Sequence, residues 1–127
     1  MIRVLLVEDE ALLAMGLALS LEAMGFEVRT MPDGQQALEA LDGGFMPDVI
    51  VTDCMMPIMD GPTFTATIRQ RQEYESVPIL MYSGVPEEKL PAPAKYDAYM
   101  QKPVSDERLV EVVKELLEGR QQTAVRA

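Results

Sequence analysis

Five short apolar runs recur along this chain, separated by stretches with helical spacing. They are Ile2–Val7, Phe26–Thr30, Asp48–Thr52, Val77–Tyr82 and Asp97–Gln101, the last being the weakest by composition. A strand with so little polar alternation has no face to offer water, so it belongs in a parallel sheet covered on both sides. The intervening segments carry helix signals. Ala11–Met24 ends at Gly25, suited to a C-terminal cap. Asp33–Leu41 opens with Asp33 and Gln36 at capping-box spacing and closes at Gly43-Gly44. Asp60–Gln72 starts from Asp60 as N-cap, with Phe64 and Ile68 on one stripe. Ser105–Glu118 has Asp106 and Glu107 in its first turn and an apolar stripe of Leu109, Val112, Val113, Leu116 and Leu117.

Gly119 is expected to stop that helix. Residues 1–119 therefore read as one domain and 120–127 as a frayed C-terminal tail. Between the fourth and fifth runs, Pro86, Pro91 and Pro93 leave room for one short helix at most, around Glu87–Leu90. The pattern is (βα)5 with a shortened or irregular fourth helix. It predicts an α/β fold, a doubly wound five-stranded parallel sheet with right-handed crossovers.

Composition removes several chemistries. The 127 residues carry 11 Lys and Arg against 21 Asp and Glu, a net charge of −10. A chain so acidic has no basic face for nucleic acid phosphates and is repelled by an anionic membrane surface. There is no histidine, so Ser-His-Asp triads, histidine metal sites and phosphohistidine carriers are excluded. Cys54 is the only cysteine, which leaves no internal disulfide and no Cys-based zinc site. Met1-Ile2-Arg3 leads into a short apolar run that ends in three acids, unlike a signal peptide, so a cytoplasmic location is expected.

Four of the five apolar runs are followed by a distinctive polar group: Glu8-Asp9-Glu10, then Asp53, Ser83-Gly84 and Lys102-Pro103. In open α/β sheets these positions meet at the carboxyl ends of the strands, where ligands bind. Glu8, Asp9 and Asp53 would crowd three negative charges into one crevice, to be relieved by raised pKa values or a cation. Oxygen ligands alone point to a hard cation, Mg²⁺ or Mn²⁺. Lys102 offers a point charge for a phosphoryl oxygen, Ser83 a hydroxyl donor, and Gly84 room to approach the backbone. Together these are the parts needed to pass a phosphoryl group to a carboxylate. Each has a plainer reading: Asp53 and Ser83 as turn residues, Glu8 and Asp9 as caps of the first helix, Lys102 as a solvated surface residue, Tyr99 as half-buried packing.

At these residues the chain resembles a response-regulator receiver domain of two-component signalling. The matching strings are Leu6-Val7-Glu8-Asp9-Glu10, Val51-Thr52-Asp53-Cys54-Met55-Met56-Pro57-Ile58-Met59-Asp60-Gly61, Tyr82-Ser83-Gly84 and Tyr99-Met100-Gln101-Lys102-Pro103. The resemblance implies a flavodoxin-like sheet of strand order 2-1-3-4-5. It implies Asp53 as phosphoryl acceptor, with Mg²⁺ (or Mn²⁺) on Asp9, Asp53, the Met55 backbone carbonyl, and Glu8 directly or through water. Ser83, Gly84 and Lys102 would hold the phosphoryl group, the Lys102–Pro103 bond would be cis, and Ser83 and Tyr99 would form a switch. It implies a signalling domain rather than an enzyme, one that assists only its own phosphorylation and dephosphorylation. The partners implied are a histidine kinase or histidine phosphotransferase, and a downstream protein target.

Four departures stand out. Glu8 replaces a commoner Asp, and Ser83 a frequent Thr. Met55 sets a bulky apolar side chain beside the acceptor, where it is expected to hinder water and slow dephosphorylation. The three prolines interrupt the region that many receivers use for output. The methionines Met56, Met59 and Met81 read as core filling, and Cys54 as structural. The first helix is apolar on nearly every face, so a docking face centred on Leu12, Leu13 and Met15 is expected, for a partner or for a homodimer.

Other functions fit less well. A Mg²⁺-dependent phosphohydrolase would want an Asp-x-Asp pattern after the first strand, where Glu8-Asp9-Glu10 stands. A flavin protein would want a Ser/Thr/Gly loop there, not three acids. A pseudo-receiver that docks partners without phosphorylation would have no use for the intact acid, serine and lysine set.

Overall fold

The computed structural model describes residues 1–90 and 94–126, with side chains described through residue 119. Five parallel strands, β1 (Arg3–Val7), β2 (Glu27–Met31), β3 (Val49–Asp53), β4 (Ile79–Ser83) and β5 (Ala98–Gln101), form one sheet in the order β2-β1-β3-β4-β5. The three central strands are the apolar ones, and the residues Val4–Val7, Val49–Asp53 and Ile79–Ser83 are all buried. The edge strands β2 and β5 are only partly buried, in keeping with their weaker composition.

Period-two alternation splits the core into two layers. Val4, Leu6, Val49, Val51, Leu80 and Tyr82 face α1 (Ala11–Glu22) and α4 (Asp106–Arg126). Leu5, Val7, Ile50 and Ile79 face α2 (Gly34–Asp42) and α3 (Gly61–Arg69). This is the doubly wound architecture, and it sets Glu8 and Tyr82 on the same side of the sheet by parity.

The caps follow the sequence signals. Asp33 accepts from the Gln36 N–H at 2.8 Å and Asp60 from the Thr63 N–H at 2.9 Å. Ser105 accepts from the Arg108 N–H at 3.1 Å. Gly25 closes the end of α1 with φ +89°, a conformation that costs glycine nothing.

Two expectations change. The third helix ends at Arg69 rather than Gln72, and a 3-10 turn follows at Gln72–Tyr74. Arg69 explains the break: its guanidinium donates to the carbonyls of Tyr74 and Val77, both at 2.8 Å, and pairs with Asp97 at 2.7 Å. Those bonds require the chain to turn back toward β4. The helix at the C-terminus does not stop at Gly119 but runs on to Arg126. Glycine costs a helix about 1 kcal/mol without forbidding it, and Gly119 does not adopt positive φ. The fourth helix is short, as expected around Glu87–Leu90: a 3-10 turn at Glu87–Lys89. Pro91 and Pro93 lie outside the described residues.

Gly61 ties the α3 N-terminus to β3. Its N–H donates to the Cys54 carbonyl at 2.8 Å, and a Cβ there would stand 2.2 Å from the Asp53 carbonyl oxygen. Backbone cannot yield as a side-chain tip can, so Gly61→Ala is expected to destabilise by about 3 kcal/mol. Urea denaturation of the two proteins measures this.

Candidate functional site

The strand ends carry the polar groups to one edge of the sheet. Thr52 stands beside Val7, and Asp53 beside Tyr82. The Lys102 N–H donates to the Ser83 carbonyl at 2.8 Å. The Lys102–Pro103 peptide bond is cis. Glu8, Asp53 and Ser83 are buried, Lys102 is half-buried, and Asp9 is exposed.

Asp53 is held from three sides. Its Oδ1 accepts from the Cys54 N–H at 2.6 Å and the Met55 N–H at 3.3 Å, and its Oδ2 lies 2.9 Å from Lys102 Nζ. One carboxylate oxygen from each of Glu8, Asp9 and Asp53 falls within 4.8 Å of the others. Oxygen donors that close, with a single lysine against three acids, suit a hard divalent cation.

The charges respond to this crowding. Burial and the Glu8 charge push the Asp53 carboxyl above its usual range, and the Lys102 ammonium only partly offsets them. Partial desolvation, then the hydrogen bond and charge of Glu8, push Asp9 the same way, although its side chain stays largely open to solvent. Glu8 is also pushed up by burial, but hydrogen bonds from Tyr82 and the Glu10 N–H, with the Lys102 charge, hold it below the usual carboxylate value. Lys102 loses by burial and gains more from Asp53 and Glu8, so its ammonium is held above the usual range.

Tyr82 is the residue the sequence reading missed. Its hydroxyl donates to Glu8 Oε1 at 2.6 Å, and Lys102 Nζ stands 4.9 Å above its ring. The signal was present, since a tyrosine inside a strand buried on both faces needs a partner for its hydroxyl. That partner could not be named from β4 alone.

The remaining expected residues fall as follows. Ser83 Oγ accepts from the Val85 N–H at 3.2 Å, and the Tyr99 hydroxyl donates to the Val85 carbonyl. A Cβ on Gly84 would meet open space, so packing does not demand glycine there. Met55 is 63% exposed beside the acceptor, while Met81 is buried and Met56 and Met59 pack on the core. Cys54 is buried and its thiol is pushed up by burial, as a structural cysteine should be. On α1, Leu12 is 84% and Met15 59% exposed, but Leu13 is half-buried against the core. Leu19, at 62%, shares the outward stripe with Leu12 and Met15 in its place, because positions 12, 15 and 19 share a helix face.

Residues 4–114 match the sequence pattern of the response regulator receiver domain. The chain belongs to this family. It is 38% identical over 121 residues to the sensor kinase CckA of Brucella abortus, covering 91% of this chain and 12% of that protein. It is 36% identical over 118 residues to the phosphate regulon transcriptional regulatory protein PhoB of Rhizobium meliloti, covering 91% of this chain and 52% of that protein. The chain thus spans about half the length, or less, of these curated relatives. A solved CheY-like receiver domain from Methanospirillum hungatei superposes with a TM-score of 0.87 at 22% identity, over 97% of this chain and 98% of that one, which shows the shared fold. This is therefore a receiver domain of two-component systems, a signalling domain. Among the described residues no helix is long and apolar enough to cross a membrane.

Lys102 is the one cation that touches the acidic cluster among the described residues. Lys102→Met is expected to cost about 2 kcal/mol at neutral pH without divalent cation, as it leaves buried carboxylates uncompensated. Asp9 and Asp53 already take up protons more readily folded than unfolded, and the variant strengthens that tendency. Its stability should therefore rise as pH falls from 7 toward the ordinary carboxylate range. Urea titrations at pH 7 and pH 5 read both effects.

Proposed function

We propose that this receiver domain accepts a phosphoryl group on Asp53 from a partner phosphohistidine, with Mg²⁺ or Mn²⁺ bound, and signals through altered protein–protein contacts. The observation that carries this reading is the Asp53 carboxylate, buried at a strand end with Lys102 Nζ at 2.9 Å and two further acids in reach of a shared cation. Asp9, Asp53 and the Met55 carbonyl would hold that cation, with Glu8 directly or through water. When bound it neutralises the acids so that an anionic phosphoryl group can approach.

The chain's own groups supply the rest. Two backbone N–H donors orient Oδ1 of Asp53, leaving the carboxylate to attack phosphorus while the phosphorus–nitrogen bond to the partner imidazole breaks. Lys102 then pairs with a phosphoryl oxygen instead of Oδ2. The Ser83 hydroxyl turns to donate to the same group and gives up the Val85 N–H. The Tyr99 hydroxyl, bonded to the Val85 carbonyl, lies on the path of that change. Such coupling fits a signalling role, not turnover of a substrate. The Met55 side chain shields the acceptor from water.

Incubation with acetyl phosphate and Mg²⁺ should add one phosphoryl group to the intact mass. Asp53→Asn, or removal of Mg²⁺, should abolish it. Labelling that persists in Asp53→Asn would move the acceptor elsewhere.

The outward stripe of Leu12, Met15 and Leu19 is the surface we assign to the histidine-bearing partner. Met15→Glu is expected to slow transfer from a cognate phosphorylated kinase at least tenfold while acetyl phosphate labelling is unchanged, as 1.4 kcal/mol of lost contact gives that factor. Equal transfer rates, measured by gel autoradiography, would remove this face from the reading.

A further inference from the structure

We propose that Tyr82 is a positioning residue for the acidic cluster, setting which oxygen of Glu8 is offered to the divalent cation. The inference rests on the cation reading above. Glutamate is one methylene longer than aspartate and has one more rotatable bond, so a carboxylate at position 8 has more places to go. Here it has only one. Oε1 accepts from the Tyr82 hydroxyl at 2.6 Å and from Lys102 Nζ at 3.3 Å. Oε2 accepts from the Glu10 N–H at 2.9 Å.

An ionised carboxylate oxygen has about two acceptor sites. Tyr82 and Lys102 fill both sites of Oε1, whereas Glu10 fills one of Oε2. Oε2 is therefore the oxygen that faces a cation or its bound water. Tyr82 also lies under Lys102, whose ammonium stands 4.9 Å above the ring. One side chain thus fixes the longer acid by its hydroxyl and the neighbouring lysine by its ring face. Its 1% exposure keeps water from replacing the hydroxyl. Partners that hold a metal-binding carboxylate from behind change metal affinity by about 10- to 100-fold when removed.

The test uses the full chain, Mn²⁺ alone as probe, and electron paramagnetic resonance of free Mn²⁺ to obtain dissociation constants. Tyr82→Phe keeps the ring and removes one hydroxyl. It is expected to weaken Mn²⁺ binding at least tenfold, as is Glu8→Gln. The double variant should be no weaker than Glu8→Gln within twofold, because the hydroxyl acts only through Glu8. A Tyr82→Phe constant within twofold of the parent would overturn the proposal. So would losses that add in the double variant, since Tyr82 would then act by packing. A parent chain that binds no Mn²⁺ would overturn this proposal and the cation reading together, while unchanged binding in Tyr82→Phe overturns this proposal alone.

Discussion

The structure depends on a parallel sheet that is covered on both faces. Helices α1 and α4 close one side and α2 and α3 the other, so the central strands have no wet face. Polar side chains cannot be tolerated along such strands without partners. They collect instead where the strands end, and all five strands end at the same edge because they are parallel. Glu8, Asp53, Ser83 and Lys102 come from four separate strand ends and still meet. The concentration of chemistry at one edge is thus a consequence of burial, before any ligand is considered.

That concentration sets an electrostatic conflict. Three acids face one lysine, and their different surroundings divide them. Asp9 and Asp53 are held reluctant to ionise, while Glu8 is held ionised by the donors around it. Lys102 spans Glu8 and Asp53 at 3.3 Å and 2.9 Å. The site is poised for positive charge. Under the function proposed above, a ligand there would compete directly with the Lys102–Asp53 pair.

The segment after β4 is tied to β5 by a short series of contacts. Ser83, Val85 and Tyr99 are joined by consecutive hydrogen bonds, and Tyr96 lies beside Tyr99 with ring centroids 5.7 Å apart. The Tyr96 hydroxyl donates to Glu87 at 2.6 Å, and this bond raises its own pKa to about 12. Two tyrosines on or before β5 thereby hold the short 3-10 turn that stands where a fourth helix would be. At Val85 and Glu87, before the residues outside the described structure, these contacts are made by tyrosine hydroxyls.

Much of this was legible in the sequence. Five apolar runs with helical spacers require the doubly wound sheet, and the acids, serine and lysine at the run ends require a common edge. The strings around Asp53 and Lys102 carried the family. Particular details were not legible, and each depends on contacts between remote residues. Glu8 meets Tyr82 across 74 positions and Lys102 across 94. Arg69 ends α3 early because it bonds carbonyls beyond the turn. Leu13 is drawn inward, lining an apolar hollow of about 460 Å³ with Leu17, Tyr82 and Pro103, while Leu12 and Met15 stay out. Ile58 adopts φ +68°, which an isolated β-branched residue avoids, because the loop between Asp53 and Gly61 is pinned at both ends. Periodicity determines which face and which end of an element a residue occupies, and that is a local property of the chain. The rotamer of Glu8, the donor on each of its oxygens and the conformation of Ile58 are decided only when distant elements pack, because only then are the competing partners within hydrogen-bond reach.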